Sequence, residues 1–398
     1  MREVVMVEAV RTAIGNLGGA LKDLQAEDLA GMVIRALMEK SGIAAADIDE
    51  VIFGQVRQSA DAPNVARVAA LRSGIPEEVP AYTVMRQCAS GLQAINNGVE
   101  AIACGHAEAV IAGGTESMSN AVFYLRGARY GLGTGNAVLV DSLTEGQFRS
   151  QPQEIYGAFN MGMTAENVAE QCGIFRQEQD QFAHESQKKA DAAIKSGIFK
   201  DEIVPVILPQ KKGEAVVFEV DEYPRLTPLE KLATLKPVFK ENGSVTAGNS
   251  SGRNDGASGV LLMSGEKARA LGIKPLAVFR GCAAAGVNPK VMGLGPVFAV
   301  QKLLKRLSMN LDDLDLVELN EAFAAQSLGC INMLGLDQNK VNVNGGAIAL
   351  GHPVGSSGAR ILVTLIHELR RRRLKYGLAT LCVAGGMGLA DVIEAVHE

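Results

Sequence analysis

One arrangement of helices and strands is written twice in this chain. Residues 33–53 read Val-Ile-Arg-Ala-Leu-Met-Glu-Lys-Ser-Gly-Ile, then Asp-Ile-Asp-Glu-Val-Ile-Phe; residues 299–319 read Ala-Val-Gln-Lys-Leu-Leu-Lys-Arg-Leu-Ser-Met, then Asp-Leu-Asp-Leu-Val-Glu-Leu. Both describe a helix, an Asp-rich turn and a strand. The echo continues as strand, special turn, helix: Val84–Ala94 with Cys88-Ala-Ser-Gly, and Val341–Arg360 with a Gly-rich turn, His352 and Ser-Ser-Gly. Each unit is expected to close on an apolar strand ending in Gly-Gly, at Val110–Gly114 and Cys382–Gly386. Any α/β protein repeats strand and helix, but the order of the special residues favours a duplication.

Local patterns agree with an α/β class. Val4–Ala9, Glu50–Phe53 and Ala107–Gly114 read as strands; Ala26–Ser41, stopped by Gly42, and Ala62–Ser73 read as helices. Alternating strands and helices imply a mixed or parallel sheet covered by helices. Residues 121–249 have another texture: a Gly- and Arg-rich stretch at Arg126–Asn136, helical runs near Ala165–Cys172 and Gln177–Ser196, and a polar stretch from Gln210 to Thr234. This reads as a large insertion between the repeats, and long insertions are usually functional.

Composition excludes several functions. The net charge is −5, aromatics are 5% and Trp is absent, which argues against nucleic-acid binding. Hydrophobic residues at 47% against 21% charged allow a large core. No apolar run is long enough to cross a membrane, and the first residues lead into a strand rather than a signal peptide. Cys88, Cys104, Cys172, Cys282, Cys330 and Cys382 form no Cys-x-x-Cys pair. That argues for reduced thiols in a cytoplasmic protein and against a metal site or disulfide framework.

Three residues stand out for chemistry. Cys88 falls between a strand-like run (Ala81–Met85) and a helical run (Leu92–Cys104), hence at a helix N-terminus. The partial positive charge there favours thiolate, although a small buried thiol filling a turn is the other reading. His352, flanked by Gly351 and Pro353, sits on a rigid turn that can hold an imidazole against a second group, or cap a carbonyl. Cys382 precedes Val-Ala-Gly-Gly-Met-Gly; it is either a base beside free backbone N–H groups or a packed strand residue. Asn320–Phe323 at a strand end and the polar turn Thr246–Gly256 fit either a site or ordinary capping.

Six stretches in order resemble thiolases: Cys88–Leu92, Met161–Asn167, Thr246–Asp255, Asn320–Phe323 (Asn-Glu-Ala-Phe), Gly345–Pro353 and Cys382–Gly388. The resemblance implies a thiolase fold, two duplicated halves in a five-layered α-β-α-β-α arrangement with an inserted loop domain. The implied boundaries are 1–120 plus 250–272, 121–249 and 273–398. It implies Cys88 as acyl-accepting nucleophile and His352 as its activator. With Asn320 and a water, His352 would also hold the enolising thioester oxygen. Cys382 would move the α-proton, and the backbone N–H groups of Cys88 and Ala384 would form a second oxyanion hole. Met161, Gly248, Ser251, Ala322, Phe323 and Arg225 would contact substrate or coenzyme A. Coenzyme A is then substrate and product, with no permanent cofactor or metal and a homo-oligomeric, tetrameric or dimeric, enzyme.

The activity implied is reversible Claisen condensation of two acetyl-CoA, or thiolysis of longer 3-ketoacyl-CoAs in fatty-acid breakdown. Ketoacyl synthases share the Cys and His but lack the C-terminal Cys, so Cys382 argues against them. The three residues together argue against a non-catalytic acyl-CoA binder. Met85, Asn160 and Ala384 depart from the common pattern, at places where Asn, His and Gly are frequent.

Overall fold

The computed structural model describes residues 2–210 and 213–397. Met1, Glu398, and Lys211 and Lys212 of the polar stretch lie outside the described residues. The principal strands are β1 (Val4–Thr12), β2 (Glu50–Gly54), β3 (Ala81–Val84), β4 (Ala109–Ser117), β5 (Asn254–Ser264), β6 (Ala277–Gly286), β7 (Leu316–Leu319), β8 (Tyr376–Val383) and β9 (Met387–Ala395). The principal helices are α1 (Ala26–Ser41), α2 (Val65–Arg72), α3 (Ser90–Ala103), α4 (Ser142–Phe148), α5 (Met161–Cys172), α6 (Arg176–Lys195), α7 (Gly295–Leu307), α8 (Ala324–Leu334) and α9 (Ser357–Arg372).

The strands line up as β7-β8-β9-β6-β1-β5-β4-β2-β3. Each half repeats the same relations. β2 lies parallel to β4, as β7 does to β8. β5 is antiparallel to β4 and β1, as β9 is to β8 and β6. Even an irregularity is copied: the register slips between Met6 and Glu8 in β1, and between Phe279 and Gly281 in β6. A bulge adds local twist and is a designed feature of a strand. The counterpart of β3 is reduced to one parallel bridge, Val317 to Val341. The halves meet where β1 and β6 pair at Val5–Val278 and Met6–Ala277.

Packing explains the layers. Alternate residues of a strand face opposite sides, so a strand covered on both faces is apolar throughout. In β4, Ala109 and Ile111 pack on α1 and α2, beside Leu29, Val33 and Phe53. Val110 and Ala112 face the other way, onto Leu92, Ile95 and Val99 of α3. The same central cluster holds Ile361, Leu362 and Leu365 of α9 with Leu381 and Ile393 of the second half. Val300 and Leu303 of α7 and Ile331 of α8 cover the far face, against Val317, Leu378 and Val392. The order is helices, sheet, the α3/α9 pair, sheet, helices. This is the expected five-layered arrangement.

The expected Gly-Gly strand ends need correction. β4 runs three residues past Gly114, whereas β8 stops at Val383, before Gly385 and Gly386. The two pairs answer different demands. A Cβ at Gly113 would strike the Ser258 carbonyl, and one at Gly114 the Gly355 carbonyl. Gly385 and Gly386 instead form the β8–β9 turn at φ +90° and +88°, which side chains rarely adopt.

The insertion is tied to the core by buried charge. Arg11 of β1 is fully buried; its Nε meets Glu202 at 2.6 Å, and its Nη atoms meet both Asp221 oxygens at 2.7 and 2.9 Å. Ile203–Val204 runs parallel to the end of β1. No helix among the described residues is long and apolar enough to cross a membrane.

Candidate active site

Cys88 stands where β3 gives way to α3. Gln87 takes φ +46°, and Ser90 Oγ braces the turn, donating to the Gln87 carbonyl at 2.6 Å and accepting from Arg86 N–H at 2.9 Å. The turn thus presents the thiol two residues ahead of the helix. His352 stands five residues ahead of α9, the counterpart helix. Its N–H donates to Asn254 Oδ1 at 3.0 Å, and its Nδ1 lies 2.6 Å from Ser357 Oγ. Ser357 Oγ also donates to the Pro353 carbonyl at 2.9 Å. With the hydroxyl proton used there, Nδ1 carries the imidazole proton. Nε2 then remains without a hydrogen-bond partner among the described residues. Cys382 is the penultimate residue of β8 and is buried.

All three line one cavity of about 180 Å³. Of the other residues singled out above, Met161, Ser251, Ala322, Phe323 and Ala384 share it. Ser251 is brought there by two hydrogen bonds, from its N–H and its Oγ, to the Ala322 carbonyl, both at 3.0 Å. Asn160 caps α5 by accepting from Met163 N–H at 3.0 Å, which seats Met161 in the wall.

Three expected residues do not line the cavity. Arg225 is exposed, with its guanidinium 5.5 Å from the Tyr223 ring centroid. Gly248 is buried where a Cβ would meet Leu232 and Leu235; it serves packing. Asn320 follows the end of β7 and is fully buried, with both side-chain polar atoms unpartnered among the described residues. Such a group requires a water or a ligand.

The electrostatics divide the three residues. Burial pushes the Cys88 thiol up; the Ala384 N–H, the Arg57 charge and its own N–H oppose that rise. Both backbone N–H groups thus favour the thiolate form of Cys88. Burial, then Cys88 and Cys330, push Cys382 well above the usual thiol range, so it rests as a thiol. Burial, with a smaller contribution from Arg360, pushes His352 down to about 4, so it rests neutral and able to accept a proton.

Several members of the site escaped the sequence reading. Glu116, pushed up to about 7 by burial, accepts from the N–H groups of Val56, Arg57 and Gly355, each at 3.0 Å. It joins the loop after β2 to the loop that carries His352. Ser357 sits in the echoed Ser-Ser-Gly, opposite Ser90, which was the available clue. Arg57, Phe239 and Met292 line the cavity without any local motif.

Residues 4–266 match the thiolase N-terminal domain, and residues 273–395 the thiolase C-terminal domain. An acetyl-CoA acetyltransferase of Pseudomonas aeruginosa is 52% identical over 394 residues, 98% of each chain. The crystal structure of the Bacillus anthracis acetyl-CoA acetyltransferase superposes with a TM-score of 0.96 at 47% identity, covering 100% of this chain and 99% of that one. Human mitochondrial 3-ketoacyl-CoA thiolase in complex with CoA superposes with a TM-score of 0.94 at 43% identity, covering 99% and 98%. With its duplicated halves, its two thiols and its imidazole in one cavity, the chain belongs to the thiolase family.

Proposed function

We propose that this protein is an acyltransferase that interconverts two acetyl-CoA with acetoacetyl-CoA and CoA through an acyl-Cys88 intermediate. The observation that carries the reading is the shared cavity of Cys88, His352 and Cys382, with Ala384 on its wall. The acetyl-CoA acetyltransferases it resembles over their full length support the substrate, and the CoA complex of the human thiolase supports coenzyme A as ligand.

In thiolysis, His352 Nε2 takes the Cys88 proton and the thiolate attacks the 3-keto carbon. The oxyanion that forms takes the N–H groups of Cys88 and Ala384. Collapse breaks the C2–C3 bond and leaves acetyl on Cys88. The electron pair passes to the acetyl-CoA enolate, whose oxygen is held by His352 and a water on Asn320. The Cys382 thiol gives its proton to C2. CoA then loses its proton to Cys382 and takes the acetyl group, and Cys88 leaves as thiolate to be reprotonated. Condensation runs the same steps backwards.

The apolar wall, with Met118, Met161, Met292, Phe239 and Phe323, also favours a second reading, thiolysis of longer 3-ketoacyl-CoAs in fatty-acid breakdown. We place the enzyme in the cytoplasm and assign three units, 1–120 plus 250–272, 121–249 and 273–398. A homo-oligomer, dimer or tetramer, fits two features: the unpaired outer edge of β3, and the exposed apolar arm with Tyr130 (93%) and Val138 (73%). The test is mass spectrometry after incubation with acetyl-CoA. One acetyl group on the Cys88 peptide, absent in Cys88→Ala, is expected; acetoacetyl-CoA cleavage by Cys88→Ala at the parent rate would overturn the reading.

A further inference from the structure

The cavity wall carries charge for which the condensation has no use. Arg57 lies in the loop after β2, its main chain held by Glu116 at 3.0 Å. Its guanidinium rests against Gly146 of α4, where any Cβ would collide with it. Its Nε is buried and unpartnered. No hydrogen bond or ion pair reaches the guanidinium from any described residue. Glu116 acts on it only through space: its oxygens are taken by main-chain N–H groups, and the Arg57 charge favours its carboxylate without a hydrogen bond. Among the described residues no Asp, Glu or Lys lines the cavity; its charged side chains are those of Arg57 and Arg253.

An unpaired buried donor on a cation is costly to keep. A planar guanidinium is also the side chain best matched to a carboxylate, which it grips with two parallel hydrogen bonds. Arg57 lines the same cavity as Cys88, His352 and Cys382, so an acyl group on Cys88 shares that space with the guanidinium. The phosphates of coenzyme A lie at the opposite end of the pantetheine arm. We propose that Arg57 anchors an anionic group at the far end of the acyl chain carried by Cys88. The site thereby takes acyl-CoAs whose chain ends in a carboxylate, alongside neutral short chains. This inference rests on the thiolase reading above and names a further substrate class for the same site.

The bond changes are those already written; only the distal end of the acyl group differs. The test compares thiolysis of 3-oxoadipyl-CoA with that of 3-oxohexanoyl-CoA, a neutral substrate of the same chain length, in the full-length enzyme. The readout is the ratio of their kcat/KM values, with KM for CoA measured separately. Arg57→Leu is expected to lower the ratio by about 10- to 100-fold, the range for a charged hydrogen-bonded pair. Arg57→Lys is expected to restore part of it, as a point charge without the fork. Arg57→Gln carries the same comparison should the leucine variant melt early.

An unchanged ratio in all three variants overturns the proposal. So does a rise in KM for CoA with the ratio unchanged, which assigns Arg57 to the coenzyme phosphates. Failure of the parent enzyme to cleave either substrate, or acetoacetyl-CoA, counts instead against the thiolase reading itself.

Discussion

The state of His352 sets the pH range over which the nucleophile can be activated. An ordinary imidazole with a pKa of about 6.5 is neutral in only about a tenth of molecules at pH 5.5. Burial pushes His352 down to about 4, so about 97% of it is neutral there. Activation of Cys88 is therefore expected to persist through pH 5.5, with its acid limb near 4. The assay is alkylation of Cys88 by iodoacetamide across pH 4–8, which reads the thiol alone. NMR of the imidazole protons, assigned by comparison with His352→Gln, reads the base. A linked effect on stability follows. The folded pKa lies below the unfolded value, so protons bind the unfolded chain first as pH falls. Stability from this residue is present above 6.5 and is lost between 6.5 and about 4. The gap amounts to about 3 kcal/mol, which urea unfolding of parent and His352→Gln proteins would read as a difference in pH slope. A His352 resonance titrating near 6.5, or an alkylation rate falling tenfold by pH 5.5, refutes the reasoning.

Asn320→Ala should slow exchange of the acetyl-CoA α-protons with D2O by about 10²-fold while sparing acetylation of Cys88, because the proposed mechanism uses its orphaned amide only at the enolate. Equal loss in both steps would count against that assignment. Ala384→Gly should leave thiolysis within a few-fold of the parent, since the N–H at the Cys88 sulfur is kept; a loss above tenfold in a steady-state assay would show that the methyl group matters. Arg11→Met should cost about 3–5 kcal/mol in denaturant unfolding by stranding Glu202 and Asp221 without their cation. Glu116→Gln should lower kcat and destabilise the fold by about 1–3 kcal/mol, because one of its three N–H partners then faces an amide; unchanged kcat would mean that the two loops hold without it.

Much of the fold was legible because a duplication writes each instruction twice. The limits of α1 were read to the residue, and Gly42 at φ +72° shows why its stop was plain. Met161, Ser251, Ala322 and Phe323 were legible as cavity residues through the resemblance to thiolases, whose motifs they occupy; the local pattern alone left capping open. What could not be read depends on contacts between remote segments. Nothing beside Arg57 announces that Gly146, 89 positions on, leaves room for its guanidinium. Glu116 looks like any strand-end carboxylate until three N–H groups converge on it. Arg225, expected to contact coenzyme A, lies outside the cavity, exposed beside Tyr223.

The pseudo-symmetry relating α3 to α9 extends to the scaffold and stops at the chemistry. Equivalent corners begin their helices with Ser90 and Ser357, yet one serine props up a turn and the other grips a ring nitrogen. A single-copy forebear assembling as a twin would have had to make one corner serve both tasks. Joined in one polypeptide, the corners were released to specialise, and a change in either now alters one partner of the reaction without duplicating itself in the other.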